Sequence, residues 1–267
     1  MGVARTLGRM LSKDQKTALW SAYLKARIFI DERRPWPLFM AAKLFPSRFA
    51  AEYRRRSFES IYRDQRWGSE EGSPFYSGVG SRGEVGRVYT ERMSAILNRL
   101  EEREGPLTVV DLGCGDFAIG RELLRLVPTM RYIGCDIVPG LIAHHWDQVD
   151  DPRASFEVID IVADPLPAGN VCLVRQVLQH LNNGDVAKVV AKLGVFSHVY
   201  VTEGQPVCPE GPPNPDKSVG SGVRFDYQTG RGRGLELHEP PFNCEAEELF
   251  RVDAAPVEQV VTYKVRC

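Results

Sequence analysis

The sequence predicts a doubly wound, mostly parallel α/β sheet with an N-terminal helical appendage. Three observations carry that expectation. Residues 107–112 are almost wholly apolar and β-prone, are broken by Gly113-Cys114-Gly115, and lead into a helical spacing of Phe117, Ile119, Leu123, Leu124, Leu126 and Val127 that Pro128 ends. Short β-prone runs then alternate with helical runs as far as Glu203, the pattern of parallel strands joined by crossover helices. Two last apolar runs, 249–252 and 257–265, have little between them and read as a closing hairpin.

In chain order, residues 1–12 make a loose basic arm, and 14–31 place Leu19, Trp20, Tyr23, Leu24, Ala26, Ile28 and Ile30 between charges, as an amphipathic helix does. Pro35 and Pro37 interrupt that pattern. A short apolar stretch, 38–45, ends at Pro46, and Ser47 has the chemistry of an N-cap for a helix to about Tyr62. Phe49, Tyr53, Phe58, Ile61 and Tyr62 form its inward side, while Arg54, Arg55, Arg56 and Arg63 read as a solvated basic face. Residues 84–102 form the next helix, with Tyr89, Met93, Ile96, Leu97 and Leu100 on one side. After the glycine turn come strands at 131–136, 156–161, 170–176 and 199–203. Helices are expected from Pro139 to about Gln148 and from Asn182 or Asn183 to Leu193. Residues 204–243 are rich in Gly and Pro and have no period. They leave the fifth strand on the ligand side of such a sheet, so a substrate lid containing Gly220, Arg231, Arg233 and His238 is expected there.

A chain of 267 residues can bury a full core, and its composition is that of an ordinary globular protein. The expected organisation is a basic helical appendage, 1–66, followed by one large domain, 67–267. No apolar run reaches the ~18 residues needed to span a membrane. The start carries no signal-peptide pattern, so a cytoplasmic location is expected. Met1-Gly-Val-Ala-Arg-Thr6 fits the loose N-myristoylation pattern. Residues 1–66 hold fifteen Lys/Arg against six Asp/Glu, and the remainder nineteen against twenty-nine, although the whole chain carries only −1. Such an appendage can meet an anionic membrane surface, a phosphorylated substrate or nucleic acid, or can pack on acidic surface of its own chain or of a second copy in a homodimer. The six cysteines contain no C-x-x-C pair and fit reduced, mostly buried thiols, with no metal site expected.

A strand, a glycine turn and a helix N-terminus form a ligand-binding unit, because the first helical N–H groups point outward without partners. Gly113, Gly115 and Ala118 satisfy the looser dinucleotide fingerprint, which keeps an NAD(P)-dependent oxidoreductase open. The acid before the turn is more telling. Asp111-Leu-Gly-Cys-Gly115 resembles the D-x-G-x-G signature of class I S-adenosylmethionine (SAM)-dependent methyltransferases. Phe58 to Gly68, with its I-Y-x-x-x-x-W-G element, and Ser77-Gly-Val-Gly-Ser81 resemble, in part, the entry segment of a bacterial small-molecule and sugar group in that family. Leu173 to Leu181 resembles its fourth-strand motif.

The resemblance covers roughly residues 58–267 and implies a seven-stranded, Rossmann-like sheet that binds SAM. It places Asp111, Gly113, Cys114 and Gly115 at the methionine end, Asp136 and Ile137 at the ribose, and Asp160 and Ile161 at the adenine. Asp136, 21 residues after Gly115, would serve NAD equally well; acids at three successive strand ends favour SAM. Arg175 and Gln176 then border the transferred methyl, and Trp67, Arg66 and the 78–81 loop close on the methionine end, with Arg66 facing its carboxylate. His180 is the first candidate for a general base and His238 the alternative, because imidazole ordinarily titrates near neutrality. The reaction implied is methyl transfer to a polar small molecule or sugar, at a hydroxyl. No N/D-P-P-Y/F element ends the fourth strand, so a nucleic-acid acceptor is not expected. A non-catalytic SAM- or nucleotide-binding module is the remaining alternative.

Overall fold

Seven strands form one sheet in the order β3-β2-β1-β4-β5-β7-β6, from the computed structural model, which describes residues 36–267. The predicted basic arm, the 14–31 helix and the myristoylation pattern lie outside the described residues. The strands are β1 (Thr108–Leu112), β2 (Arg131–Asp136), β3 (Ala154–Val158), β4 (Val171–Arg175), β5 (His198–Pro206), β6 (Glu245–Ala255) and β7 (Glu258–Arg266). The first five run parallel, and β7 is antiparallel to both β5 and β6. β1 and β4 are neighbours, so strand order reverses there, and a crevice opens at their carboxyl ends. Val109, Val110, Leu112, Cys172 and Val174 are fully buried, which is why these strands read as unbroken apolar runs.

The helices are α1 (Trp36–Leu44), α2 (Pro46–Arg63), α3 (Gly83–Glu104), α4 (Ala118–Leu126), α5 (Pro139–Gln148) and α6 (Asn183–Val190). The short apolar stretch at 38–45 belongs largely to α1; a proline in a first helical turn, here Pro37, loses no hydrogen bond. Likewise α2 opens on Pro46, which leaves Ser47 inside the helix. Contacts divide the chain between Tyr53 and Arg54. In the first unit, the Phe39 and Tyr53 rings meet edge-on at 5.4 Å. In the second, α3 buries Tyr89, Met93, Leu97 and Leu100, as its period requires. Beside it, Phe117 packs between Tyr132 and Phe156, with centroids 5.2 and 5.0 Å away. Among the described residues, no helix is long and apolar enough to cross a membrane.

Two further details differ from what the sequence predicts. β3 ends at Val158, so Asp160 stands in the loop after the strand. Cys244 and Cys267 form a disulfide, with Cα atoms 4.6 Å apart, where free thiols were expected. Glu245 of β6 opposes Arg266 of β7, so the next residue outward on each strand is a cysteine and the two meet. Cys114, Cys135, Cys172 and Cys208 are free.

Between β5 and β6 the chain forms no helix or strand, but it has anchors of its own. The Asn214 side chain is buried, donates to the carbonyls of Glu236 (2.9 Å) and Pro240 (2.8 Å), and accepts from the Glu236 N–H. Val219, Phe225, Leu235 and Leu237 of the same segment are buried.

Candidate functional site

A cavity of about 440 Å³ opens at the carboxyl ends of the strands. Twelve of the fourteen expected site residues line it: Trp67, Asp111, Gly113, Cys114, Gly115, Asp136, Ile137, Asp160, Ile161, Arg175, Gln176 and His180. The other two do not. Arg66 reaches Asp64 at 3.4 Å, and His238 is exposed, its ring 5.8 Å from that of Tyr263.

The glycine turn is held from several sides. Gly113 has φ +83° and Gly115 φ +54°; a Cβ on the first would run into Val177, and on the second into Ser77. Both the backbone twist and the space therefore demand glycine. Ser77 and Asp116 exchange hydrogen bonds, Ser77 N–H to Asp116 Oδ2 at 2.7 Å and Asp116 N–H to Ser77 Oγ at 2.8 Å, which fastens the segment before α3 to the turn. His145 Nε2 meets the Gly115 carbonyl at 2.7 Å from the other side, a structural place for this histidine.

Each strand-end acid is oriented by protein donors. Asp136 accepts from the N–H groups of Gly115 (3.3 Å) and Val138 (3.0 Å), and Asp111 accepts from Tyr132 Oη at 2.6 Å. Burial raises both to a pKa of about 6 against the pull of these donors. Asp160 accepts from the Val162 N–H at 3.0 Å and from Arg54 at 2.6 Å. Arg54 is 4% exposed and also reaches Asp185 at 3.1 Å. It belongs to the cavity wall with Phe58 and Tyr62, not to a solvated basic face.

At the end of β4, Arg175 donates to Ser81 Oγ at 3.1 Å and to the Gly80 carbonyl, and it lies over the Tyr89 ring at 4.7 Å. This pins the predicted 78–81 loop beside the glycine turn. Arg175 Nε is buried with no hydrogen-bond partner among the described residues. Gln176 sits at φ +54°, a strained left-handed conformation at the cavity edge.

His180 ends a short 3₁₀ turn, Leu178–His180, and is buried. Gln179 Oε1 accepts from the Gly204 N–H at 2.9 Å, so its amide nitrogen faces His180 Nε2, 3.4 Å away. His180 Nδ1 then carries the hydrogen and donates to the Gly222 carbonyl at 3.3 Å. Burial, with Lys217 and Arg224 nearby, pushes its pKa down to about 3, far from the neutral value expected from sequence. The Trp67 ring covers it at 5.0 Å.

Glu203, outside the cavity, holds that turn through the N–H groups of Leu178 (2.9 Å) and Gln179 (3.3 Å). Burial raises its pKa to about 8, outweighing these bonds. The folded state thus keeps a proton on Glu203 that the unfolded chain loses near its ordinary value of about 4.3. Stability contributed by this group is full below about pH 4.3 and is lost as pH rises to about 8. Unfolding curves of wild type and Glu203→Gln should therefore shift relative to each other across that window, the wild type losing ground as pH rises. Parallel curves would mean that Glu203 ionises normally.

Residues 109–195 match a methyltransferase domain family. That stretch runs from β1 to just past α6 and is similar to a methyltransferase domain. The chain is 24% identical over 182 residues to a malonyl-[acyl-carrier protein] O-methyltransferase of Acetivibrio thermocellus, covering 62% of this chain and 57% of that protein. The alignment thus spans little more than half the length of this curated relative. The magnesium protoporphyrin IX methyltransferase of Synechocystis PCC 6803, solved with bound SAM, superposes with a TM-score of 0.51 at 13% identity, covering 81% of this chain and 97% of that one. Human N-acetylserotonin methyltransferase, in complex with SAM, gives a TM-score of 0.48 at 14% identity over 85% of this chain and 58% of that one. The likeness to the Synechocystis structure establishes the seven-stranded, Rossmann-like fold.

Sequence reasoning missed several wall residues of this domain. Arg54 shares the α2 stripe with Phe58 and Ile61, at helical intervals, and that spacing was the available signal. Tyr227 and Glu258 also line the cavity, and no local pattern marks either one.

Proposed function

We propose that the protein transfers the methyl group of SAM to a polar small-molecule or sugar acceptor, at a hydroxyl, with His180 receiving the proton. The observation that carries this reading is Asp136. Its carboxylate stands in the cavity at the end of β2, turned by two backbone N–H groups, where it can accept both hydroxyls of a ribose. The other residues suit SAM as well. The space kept by Gly113 and Gly115 admits a ligand against the main chain. Asp111 would face the ammonium group, and the unpartnered Nε of Arg175 the carboxylate. Asp160 and Ile161 would hold the adenine, the acid through lone pairs that Arg54 leaves open. Bound SAM supplies a sulfonium-activated methyl whose S–C electron pair stays on sulfur.

The protein's remaining task is alignment and removal of a proton. His180 is neutral above its low pKa and has its Nδ1 hydrogen fixed on Gly222, so Nε2 is the atom that can accept a proton, once the 3.4 Å contact from the Gln179 amide gives way to the acceptor hydroxyl. Residues 204–243 would act as the cover of this end: the Gly220 N–H donates to the His180 carbonyl at 3.0 Å, and Trp67 Nε1 to the Ser221 carbonyl at 3.4 Å.

Calorimetry with SAM and with NAD tests the reading. SAM should bind and NAD should not. Asp136→Ala should weaken SAM ten- to a hundredfold, since a hydrogen bond to a charged group contributes about 1.5–3 kcal/mol. Tight NAD binding, or unchanged SAM affinity in a folded Asp136→Ala protein, would sink it.

A further inference from the structure

One acid in the cavity has no assigned partner. Glu258 opens β7, opposite Pro206 of β5 and Ala255 of β6, so it stands at the carboxyl edge of the sheet. It lines the cavity beside Tyr227, Ala254 and Ala255. The residue is half-buried, burial alone raises its pKa, and among the described residues its carboxylate makes no hydrogen bond or ion pair. A Cβ added at Gly204 would lie 2.8 Å from Glu258 Oε1 and 3.0 Å from Gln179 Oε1. The acid therefore stands next to the Gln179–His180 pair, where the acceptor would sit.

Charge decides what such a carboxylate is for. The cavity wall holds four carboxylates, Asp111, Asp136, Asp160 and Glu258, and two guanidiniums, Arg54 and Arg175. Arg54 neutralises Asp160. SAM brings a sulfonium and an ammonium against one carboxylate, a single net positive charge. One negative charge is left over in a partly desolvated space, where an uncompensated charge is costly. Aromatic rings of Phe58, Tyr62, Trp67, Tyr89 and Tyr227 make up much of the remaining wall, and their faces attract cations as well as apolar rings.

We propose that Glu258 recognises the acceptor, and that the acceptor carries a protonated amine on a ring-bearing body. This rests on the reading of the cavity as a joint SAM and acceptor site. The amine is the group Glu258 binds; the methylated atom lies at His180. Neither Tyr227 nor Glu258 contacts the strand-end acids that would hold the cofactor in any hydrogen bond described, so the two halves of the site can be tested apart.

The full-length protein, saturated with S-adenosylhomocysteine, is titrated by calorimetry with 2-phenylethylamine and with 2-phenylethanol, which differ in amine against hydroxyl. The amine should bind at least tenfold more tightly than the alcohol. Glu258→Gln should abolish that preference and leave S-adenosylhomocysteine affinity in place. Equal binding of the two probes, no binding of either, or a preference that survives in Glu258→Gln overturns the proposal. If S-adenosylhomocysteine itself fails to bind the wild type, the cofactor reading falls and the proposal with it.

Discussion

Replacing Arg54 with Met is expected to lower the free energy of unfolding by about 3–5 kcal/mol, because it leaves buried Asp160 without its counter-ion and Asp185 with Lys188, at 3.4 Å, as its remaining cation. Arg54 is 4% exposed. Its Nη2 lies 2.6 Å from Asp160 Oδ2, its Nε lies within 3.2 Å of both Asp160 oxygens, and its Nη1 reaches Asp185 Oδ2 at 3.1 Å. One guanidinium thus ties α2 to the loop after β3 and to the first turn of α6. A forked, planar cation is needed to serve both acids at once, so Arg54→Lys should recover only part of the loss. Urea denaturation measures the effect. The combination of Arg54→Met with Asp160→Asn and Asp185→Asn should regain most of it, since the cost lies in the uncompensated charges and the three residues couple strongly. A loss below about 1 kcal/mol for Arg54→Met would show that the cluster behaves as a solvated surface pair.

Most of the fold was legible because its physics is local. β1 and β4, in the middle of the sheet, are buried on both faces and read as apolar runs, and the chain between successive parallel strands must cross over, here mostly as helix. Asp111, Asp136 and the glycine turn were legible for the same reason, since a strand, its end and the following turn are contiguous in sequence. What escaped is long-range. Arg54 finds Asp160 across 106 positions, and beside Arg55 and Arg56 it looks like one more surface charge. Its phase with Phe58 and Ile61 separates it from them, because a charge on the apolar stripe must be paired inside. The Cys244–Cys267 disulfide depends on the register of β6 against β7, which no spacing rule supplies. Arg66 was placed near the methionine end from its neighbours in sequence, but the chain turns at Gln65, with φ +51°, and carries it away from the cavity. The low pKa of His180 escaped because burial and the approach of Lys217 and Arg224 are properties of the loop packed over it.

Turnover should fall by at least about a hundredfold in His180→Ala, the lower end of the 10²–10⁴ range for a positioned proton acceptor. The lower end is expected because a base with a pKa of about 3 has little driving force to take a hydroxyl proton. In return it is never lost to protonation: at pH 5 to 9 the imidazole is neutral, with its hydrogen on Nδ1 held by the Gly222 carbonyl. The wild-type rate should therefore show no limb from this histidine near neutrality. Nitrogen chemical shifts of the His180 ring should report the Nδ1–H tautomer without titration over the same range, and this measurement needs no acceptor. Gln179→Leu should raise the rotational freedom of the ring and lower turnover while SAM affinity holds, because Gln179 contacts Gly204 and His180 rather than a strand-end acid. His238→Ala should leave the rate unchanged, since that side chain is exposed and outside the cavity wall. A His180 ring that titrates near pH 6.5, or a rate lost in His238→Ala and kept in His180→Ala, would transfer the base from the end of β4 to the long loop before β6.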